Sequence, residues 1–323
     1  MESVSTPQQA AVASERFIRG HRWARAKDSL IRWFITLNGT VAILTIVLIF
    51  VFLTKDALPT FKSVSVGDFT FGKEWRPEFE RFGILPLLAG SLFVTLGAVV
   101  IAVPLGIACA IYLAEIAPKS MREFLKPTIE VLAGIPSVVI GFIGLAIASP
   151  FIAQLLKLPT GLTALTGSIM LGFMAMPTII SISEDAIVAV PKAYRDGSLA
   201  LGASKWETIA GVVLPAAKSG IIAACMLGVG RAIGETMTVL MVCGNAANLP
   251  LAESRSIVGI LKGIVHFYAS PVRTMTGTIA GDMGEIGKNT LHYHSLFAVG
   301  LALFAITFAI NFFADLALRK SRK

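Results

Sequence analysis

The sequence predicts an all-α membrane protein that crosses the bilayer six times, and three observations predict it. Hydrophobic residues make up 55% of the chain and charged residues only 15%, giving a mean hydropathy of +0.76, outside the range of a soluble globular domain. Six apolar runs reach the ~20 residues that a helix needs to cross hydrocarbon. The basic residues lie between and beyond these runs, so the net charge of +8 reads as topology and not as a nucleic-acid surface.

The segment 1–33 is basic. Within it RFIRGHRWARAKDSLIRWF, residues 16–34, interleaves Phe17, Trp23, Leu30 and Trp33 with arginines, which suits either a helix lying in the interface or a flexible basic anchor. The first span is placed at 34–53, a run too long for a signal-peptide core. The others are placed at 89–114, 129–153, 163–183, 217–243 and 295–318, so that 34–318 forms the six-span domain and 319–323 a basic tail.

Orientation follows from the positive-inside rule. Arg16, Arg19, Arg22, Arg25, Lys27 and Arg32 precede the first span and Arg319, Lys320, Arg322 and Lys323 follow the last, which makes both termini cytoplasmic. Lys119, Arg122 and Lys126 in the second-to-third connection agree, as do Lys192, Arg195, Lys205 and Lys218 in the fourth-to-fifth. The external loop 54–88 carries Lys55, Lys62, Lys73, Arg76 and Arg81, which long loops tolerate. Residues 244–294 form a second external connection with apolar patches such as SIVGILKGIV, 256–265, and its length calls for helical structure of its own.

Several residues point away from catalysis. Cys109, Cys225 and Cys243 fall in apolar runs without C-x-x-C spacing and read as small core residues. His292 and His294 are too few for a metal site and read as an interfacial cluster with Tyr293; no metal and no cofactor is expected. Glu184 and Asp185, at the cytoplasmic end of the fourth span, read as solvated, with a gate role as the lesser alternative. No G-x-x-x-x-G-K-[ST] loop occurs, so ATP is not bound in that mode, and no nucleophile is placed beside a base.

The stretch KAYRDGSLALGASKWETIAGVVLP, Lys192 to Pro215, is not built to cross a membrane. Ala193, Tyr194, Leu199, Leu201, Trp206 and Ile209 alternate with polar residues as in two short amphipathic helices, with Gly202 as the permissive joint and Leu214-Pro215 leading into the fifth span. The spacing Asp196-Gly197-Ser198, Gly202, Leu214-Pro215 resembles the EAA signature of ABC importer permeases, with aspartate for the usual glutamate and Gly197 and Ser198 for the two alanines. The segments GIPSVVIGFIGL (134–145), ALGASKWETIAGVVLP (200–215), GVGRAIGETMTVLMVCGN (228–245) and TIAGDMGEI resemble, in order, the C-type permease subunit of phosphate-specific ABC importers.

The resemblance implies a non-catalytic subunit that conducts inorganic phosphate by alternating access. It implies as partners an A-type permease subunit, two ATPase subunits docked on 192–215 through Tyr194, Arg195, Asp196, Gly197, Ser198, Gly202, Trp206, Leu214 and Pro215, and an external phosphate-binding protein. The readings left open are a permease for another oxyanion, such as molybdate, or for an organic solute, and a self-sufficient secondary transporter.

Arg231 and Glu235, four apart in the fifth run, are the residues hardest to reconcile with lipid: each costs ~2.5 to 3.5 kcal/mol at a helix centre on insertion scales. Four-residue spacing predicts a shared helical face and a possible mutual salt bridge, though arginine before glutamate is the weaker order. A guanidinium offers forked donors to two oxygens of an anion, which makes Arg231 the candidate substrate contact. Glu235 reads as an acceptor for a protonated oxyanion, as a partner orienting Arg231, or as a structural counter-ion. Thr236, Thr238 and Ser137 are weaker candidates along the path. Gly230 and Gly234 form a G-x-x-x-G ridge beside the pair, suited to close helix packing at a subunit interface.

Overall fold

A computed structural model describes residues 7–247 and 257–321, in two compact units, residues 1–55 and 56–323. The side chains of Arg16, Phe17, Arg19, Arg22, Trp23 and Arg25, and those of Arg319, Lys320, Arg322 and Lys323, lie outside the described residues. The helix α1 (Pro7–Ala57) runs without a break, so the basic segment and the first span share one helix. Its hydroxyls turn back on the helix: Thr36, Thr40, Thr45 and Thr54 each donate to the carbonyl four residues before, at 2.8 to 2.9 Å.

In the second unit, α2 (Thr60–Ser63), α3 (Val66–Phe71) and a two-stranded hairpin, β1 (Trp75–Arg76) with β2 (Arg81–Phe82), precede α4 (Leu85–Ile111). Then come α5 (Lys119–Ala133), α6 (Ser137–Ile143), α7 (Ser149–Leu156), α8 (Ala164–Val188), α9 (Lys192–Ala200), α10 (Lys205–Thr208) and α11 (Leu214–Ile233). The remainder is α12 (Met237–Val242), α13 (Ile257–Tyr268), α14 (Met275–Asp282) and α15 (Leu291–Ser321). Six stretches are long and apolar enough to cross a membrane: Lys27–Ser63, Leu85–Ile116, Ser137–Leu156, Ala164–Val188, Lys205–Ile233 and Leu291–Phe312.

The helix α8 is the centre of this unit. Its most apolar window is 61% buried, against 22 to 28% for the other spans of the unit. Lipid supplies no hydrophobic drive between spans, so close approach of small residues has to supply the contact. A β-carbon on Gly106 of α4 would sit 2.8 Å from Ile179, and one on Gly172 of α8 would sit 3.3 Å from the Ala98 carbonyl. On the other side, β-carbons on Gly220 and Gly228 of α11 would sit 2.4 Å from Ala186 and 2.6 Å from Ile179. With the buried Ala224 and Ala232, these glycines make a small-residue ridge of period four along α11.

Three spans contain a π-helical turn: Tyr112–Ile116, Gly144–Ala148 and Ile209–Val213. Each ends two residues before a proline, Pro118, Pro150 or Pro215. Pro150 and Pro215 stay within the helix, where a proline cannot bond the carbonyl four residues earlier and its ring crowds it, and the extra residue of a π turn opens the helix at that point; Pro118 instead follows the helix end at an extended Ala117. The helical course of the fifth span therefore begins at Lys205, ten residues before Pro215, and not at the proline.

Two expected spans are interrupted. The run 129–153 breaks at Gly134-Ile135-Pro136: the residue before a proline disfavours helix, so α5 stops and α6 begins. The run 217–243 breaks at Gly234-Glu235-Thr236, between α11 and α12.

Candidate functional site

The two breaks meet. Arg231, in the last turn of α11, donates from Nη2 to the Ala133 carbonyl at 3.0 Å, the last residue of α5, and from Nη1 to Thr178 Oγ1 of α8 at 3.0 Å. The Thr238 hydroxyl of α12 donates to the Ser137 carbonyl at 3.0 Å, the first residue of α6. The breaks fall at the ends of the stretches long and apolar enough to cross a membrane, just before Ser137 and just after Ile233, and Gly134, Pro136 and Gly234 are exposed. The half-buried Arg231 thus stands where the two helix breaks and α8 converge.

The shared face expected for Arg231 and Glu235 does not form, because the helix ends at Ile233, between them. Glu235 Oε1 accepts from the Thr238 amide at 3.1 Å, capping α12, while its carbonyl accepts from the Thr276 hydroxyl at 2.8 Å. Each charge therefore has its own polar partners. Thr238 is fully buried and spends its hydroxyl on Ser137; Thr236 bonds the Gly234 carbonyl at 3.3 Å. A guanidinium has five N–H groups, and the two bonds of Arg231 leave one on each terminal nitrogen and one on Nε. Those three charged donors, free among the described residues, are the chemistry an anion needs.

Gly230 and Gly234 do not pack within the chain. No described atom lies within 4 Å of a β-carbon on Gly230, and Gly234 is the cap of α11, so the internal ridge is Gly220, Ala224, Gly228 and Ala232.

Glu184 is not solvated. It is 1% exposed and receives Arg122 on Oε1 and Lys126 on Oε2 at 2.6 Å, both from α5. Lys126 also bonds the exposed Asp185 at 2.6 Å; burial disfavours its charge, but the two carboxylates outweigh that and raise its pKa above the ordinary 10.5. Composition gave Glu184 no partner because Arg122 and Lys126 are 62 and 58 residues away.

In 192–215, Tyr194, Asp196, Gly197, Gly202, Trp206 and Pro215 are exposed, while Ser198 and Leu214 are half-buried. Gly202 takes φ +88° at the joint between α9 and α10, and Ser204 and Glu207 form a capping box that starts α10. Arg195 turns inward, to Glu115. At the opposite end of the bundle, Asp282 joins Arg273 and His292 (Nε2 at 3.2 Å), His292 packs on Trp75 and Phe82, and His294 Nδ1 meets the Asp56 carbonyl at 2.9 Å. Of the three cysteines, Cys243 is buried and Cys109 is exposed.

The family model described as the binding-protein-dependent transport system inner membrane component matches residues 102–323. A probable ABC transporter permease, YqgH of Bacillus subtilis, is 38% identical over 299 residues, 91% of this chain and 92% of that protein. The phosphate transport system permease PstC of Mesorhizobium japonicum is 34% identical over 272 residues, 78% of each chain. Among solved structures, a bacterial ABC transporter involved in importing the polysaccharide alginate superposes with a TM-score of 0.56 at 15% identity, covering 89% of this chain and 96% of that one. The MetNI methionine ABC transporter in an inward-facing conformation gives 0.52 at 20%, covering 74% and 94%. At those identities the likeness speaks to the fold alone. The matched family, the six spans and the identity to named ABC permeases place this chain in the binding-protein-dependent transport system inner membrane component family, as a multi-pass inner-membrane permease subunit of an ABC importer.

Proposed function

We propose that the chain is the C-type subunit of an inorganic phosphate importer, and that Arg231 is its anion contact. The observation that carries this is the position of Arg231 at the meeting of two helix breaks, with three of its N–H groups unspent among the described residues. A phosphate leaving water needs its charge balanced, and two N–H groups in one plane match two of its oxygens. Several relatives are named phosphate transport system permeases, which supports phosphate over other oxyanions. Glu235, its carboxylate held by the Thr238 amide and not by Arg231, suits the role of acceptor for the proton that phosphate keeps near neutral pH.

The partners follow from the same reading. An A-type permease covers the open face at Gly230; two ATPase subunits dock on the exposed side of 192–215, with both termini on that cytoplasmic side; an external binding protein delivers the anion. The test is uptake into vesicles holding the purified complex. Import should require ATP, and phosphate should compete where molybdate and sulfate do not. Arg231→Lys keeps the charge but loses the fork, and should lower uptake by at least tenfold; Glu235→Gln should lower it less and relax exclusion of sulfate. If both variants assemble and import phosphate normally, the site assignment fails.

A further inference from the structure

We propose that Arg195 and Glu115 form a strut that makes α9 rigid with the membrane spans, so that motion of a partner on that element is delivered to α4 and α8. The proposal rests on the reading of 192–215 as the ATPase-docking element. Arg195 is here a positioning residue and not a docking contact.

The helix α9 buries no residue of its own, so apolar packing does not hold it. The apolar cluster beneath it is built from Ala110, Ile187, Val190, Val213 and Ala217, and α9 adds nothing to it. Its neighbours in sequence and space face outward, Tyr194 at 56% exposure and Leu201 at 91%, whereas the Arg195 side chain is 19% exposed. Its guanidinium makes four bonds. Nε and Nη2 donate to Glu115 Oε1 at 3.0 and 2.6 Å, Nη2 also to the Ile187 carbonyl at 2.8 Å, and Nη1 to the Val190 carbonyl.

The receiving ends explain why this arginine is where it is. Glu115 lies in the π turn that closes the second span, 11% exposed, so the ion pair is shielded from water and salt. Ile187 and Val190 stand at and just past the end of α8; the Ile187 carbonyl accepts from the Val190 amide at 3.2 Å and from Arg195 as well. One planar side chain thus joins three elements. Without it, α9 would be held by its two chain connections, by its approach to the π turn Ile209–Val213 and by the Ser198–Thr208 hydroxyl contact at 3.0 Å to α10, none of which reaches α8. A push on such a loop would be absorbed by the joint at Gly202, where φ is +88°. With the strut, the push reaches α8, whose Thr178 holds Arg231.

The test measures rigidity and coupling separately, in the assembled complex. Spin labels on Ala200→Cys of α9 and Phe173→Cys of α8, in a Cys109→Ala, Cys225→Ala background, report the α8–α9 distance by pulsed electron resonance. The expected result is one narrow distance, unchanged by ATP, that broadens in Glu115→Gln and in Arg195→Lys. In the unlabelled variants, solute moved per ATP hydrolysed should fall severalfold while the ATPase stays bound, and the double variant should do no worse than the poorer single one. A distance left narrow by Glu115→Gln overturns the strut, as does a parallel fall of hydrolysis and uptake. The distance is read without any transported solute, so a complex that imported something other than phosphate, or an ATPase that cross-linked elsewhere on the chain, would count against the proposed function and leave this readout intact.

Discussion

Arg122, Lys126 and Glu184 show what a charged residue must find before it is kept at the end of a span. Two cations from α5 converge on one carboxylate of α8. Glu184→Leu would leave Arg122 without its carboxylate and Lys126 with the exposed Asp185 alone, and should cost about 1 to 3 kcal/mol in thermal unfolding in detergent, below the ~3 to 5 for a fully buried pair because each cation keeps about a third of its exposure. Asp282 gives a pH dependence of defined sign. Burial raises its pKa, but the His292 hydrogen bond and the Arg273 charge outweigh that and hold it below 3.8. A carboxylate with a depressed folded pKa stabilises above the unfolded value and loses that contribution as pH falls through the folded one. The unfolding temperature should therefore drop as pH falls below about 4, and Asp282→Asn should flatten that drop.

At the scale of elements, helix α11 has two glycine faces with opposite roles. Gly220 meets the Ala186 β-carbon, which cannot swing aside, so Gly220→Ala should push α11 from α8 and cost about 1 to 3 kcal/mol. Gly230→Ala meets nothing described, and should leave the isolated chain's stability equal or slightly higher while weakening co-purification with a second permease chain. If the two variants behave alike in both assays, the division into inner and outer faces is wrong. Hydropathy made the spans legible because it averages over some twenty residues. For the same reason it passed over both breaks: Gly134-Ile135-Pro136 is three residues in an apolar run, and Gly234-Glu235-Thr236 ends a helix with no proline to mark it. The π turns had a sequence mark, since each precedes Pro118, Pro150 or Pro215 by the same interval. Arg231 and Arg195 stood out by residue type, but Ala133, Thr178 and Glu115 come from distant segments and became partners only through the packing of α4, α5, α8, α9 and α11.

For the whole molecule, the described contacts divide the work between two ends. At one end, charges link α5 to α8 and α9 to the π turn that follows α4; at the other, the hairpin, α14 and the start of α15 gather around Asp282 and His292. The two helix breaks lie between. An importer that opens alternately to each side needs firm ends and a yielding middle, and the ion pairs and the helix breaks are distributed in that way. The open surroundings of Gly230 carry a consequence for the cell. A copy of this chain made in excess would present uncovered glycine backbone and a half-buried guanidinium to lipid, features that membrane proteases act on when an orphan lingers. With the second permease subunit proposed above as that cover, the chain expressed alone should turn over severalfold faster in a pulse-chase experiment than when the two are co-expressed, and a chain equally long-lived in both cases would show that the face at Gly230 needs no cover.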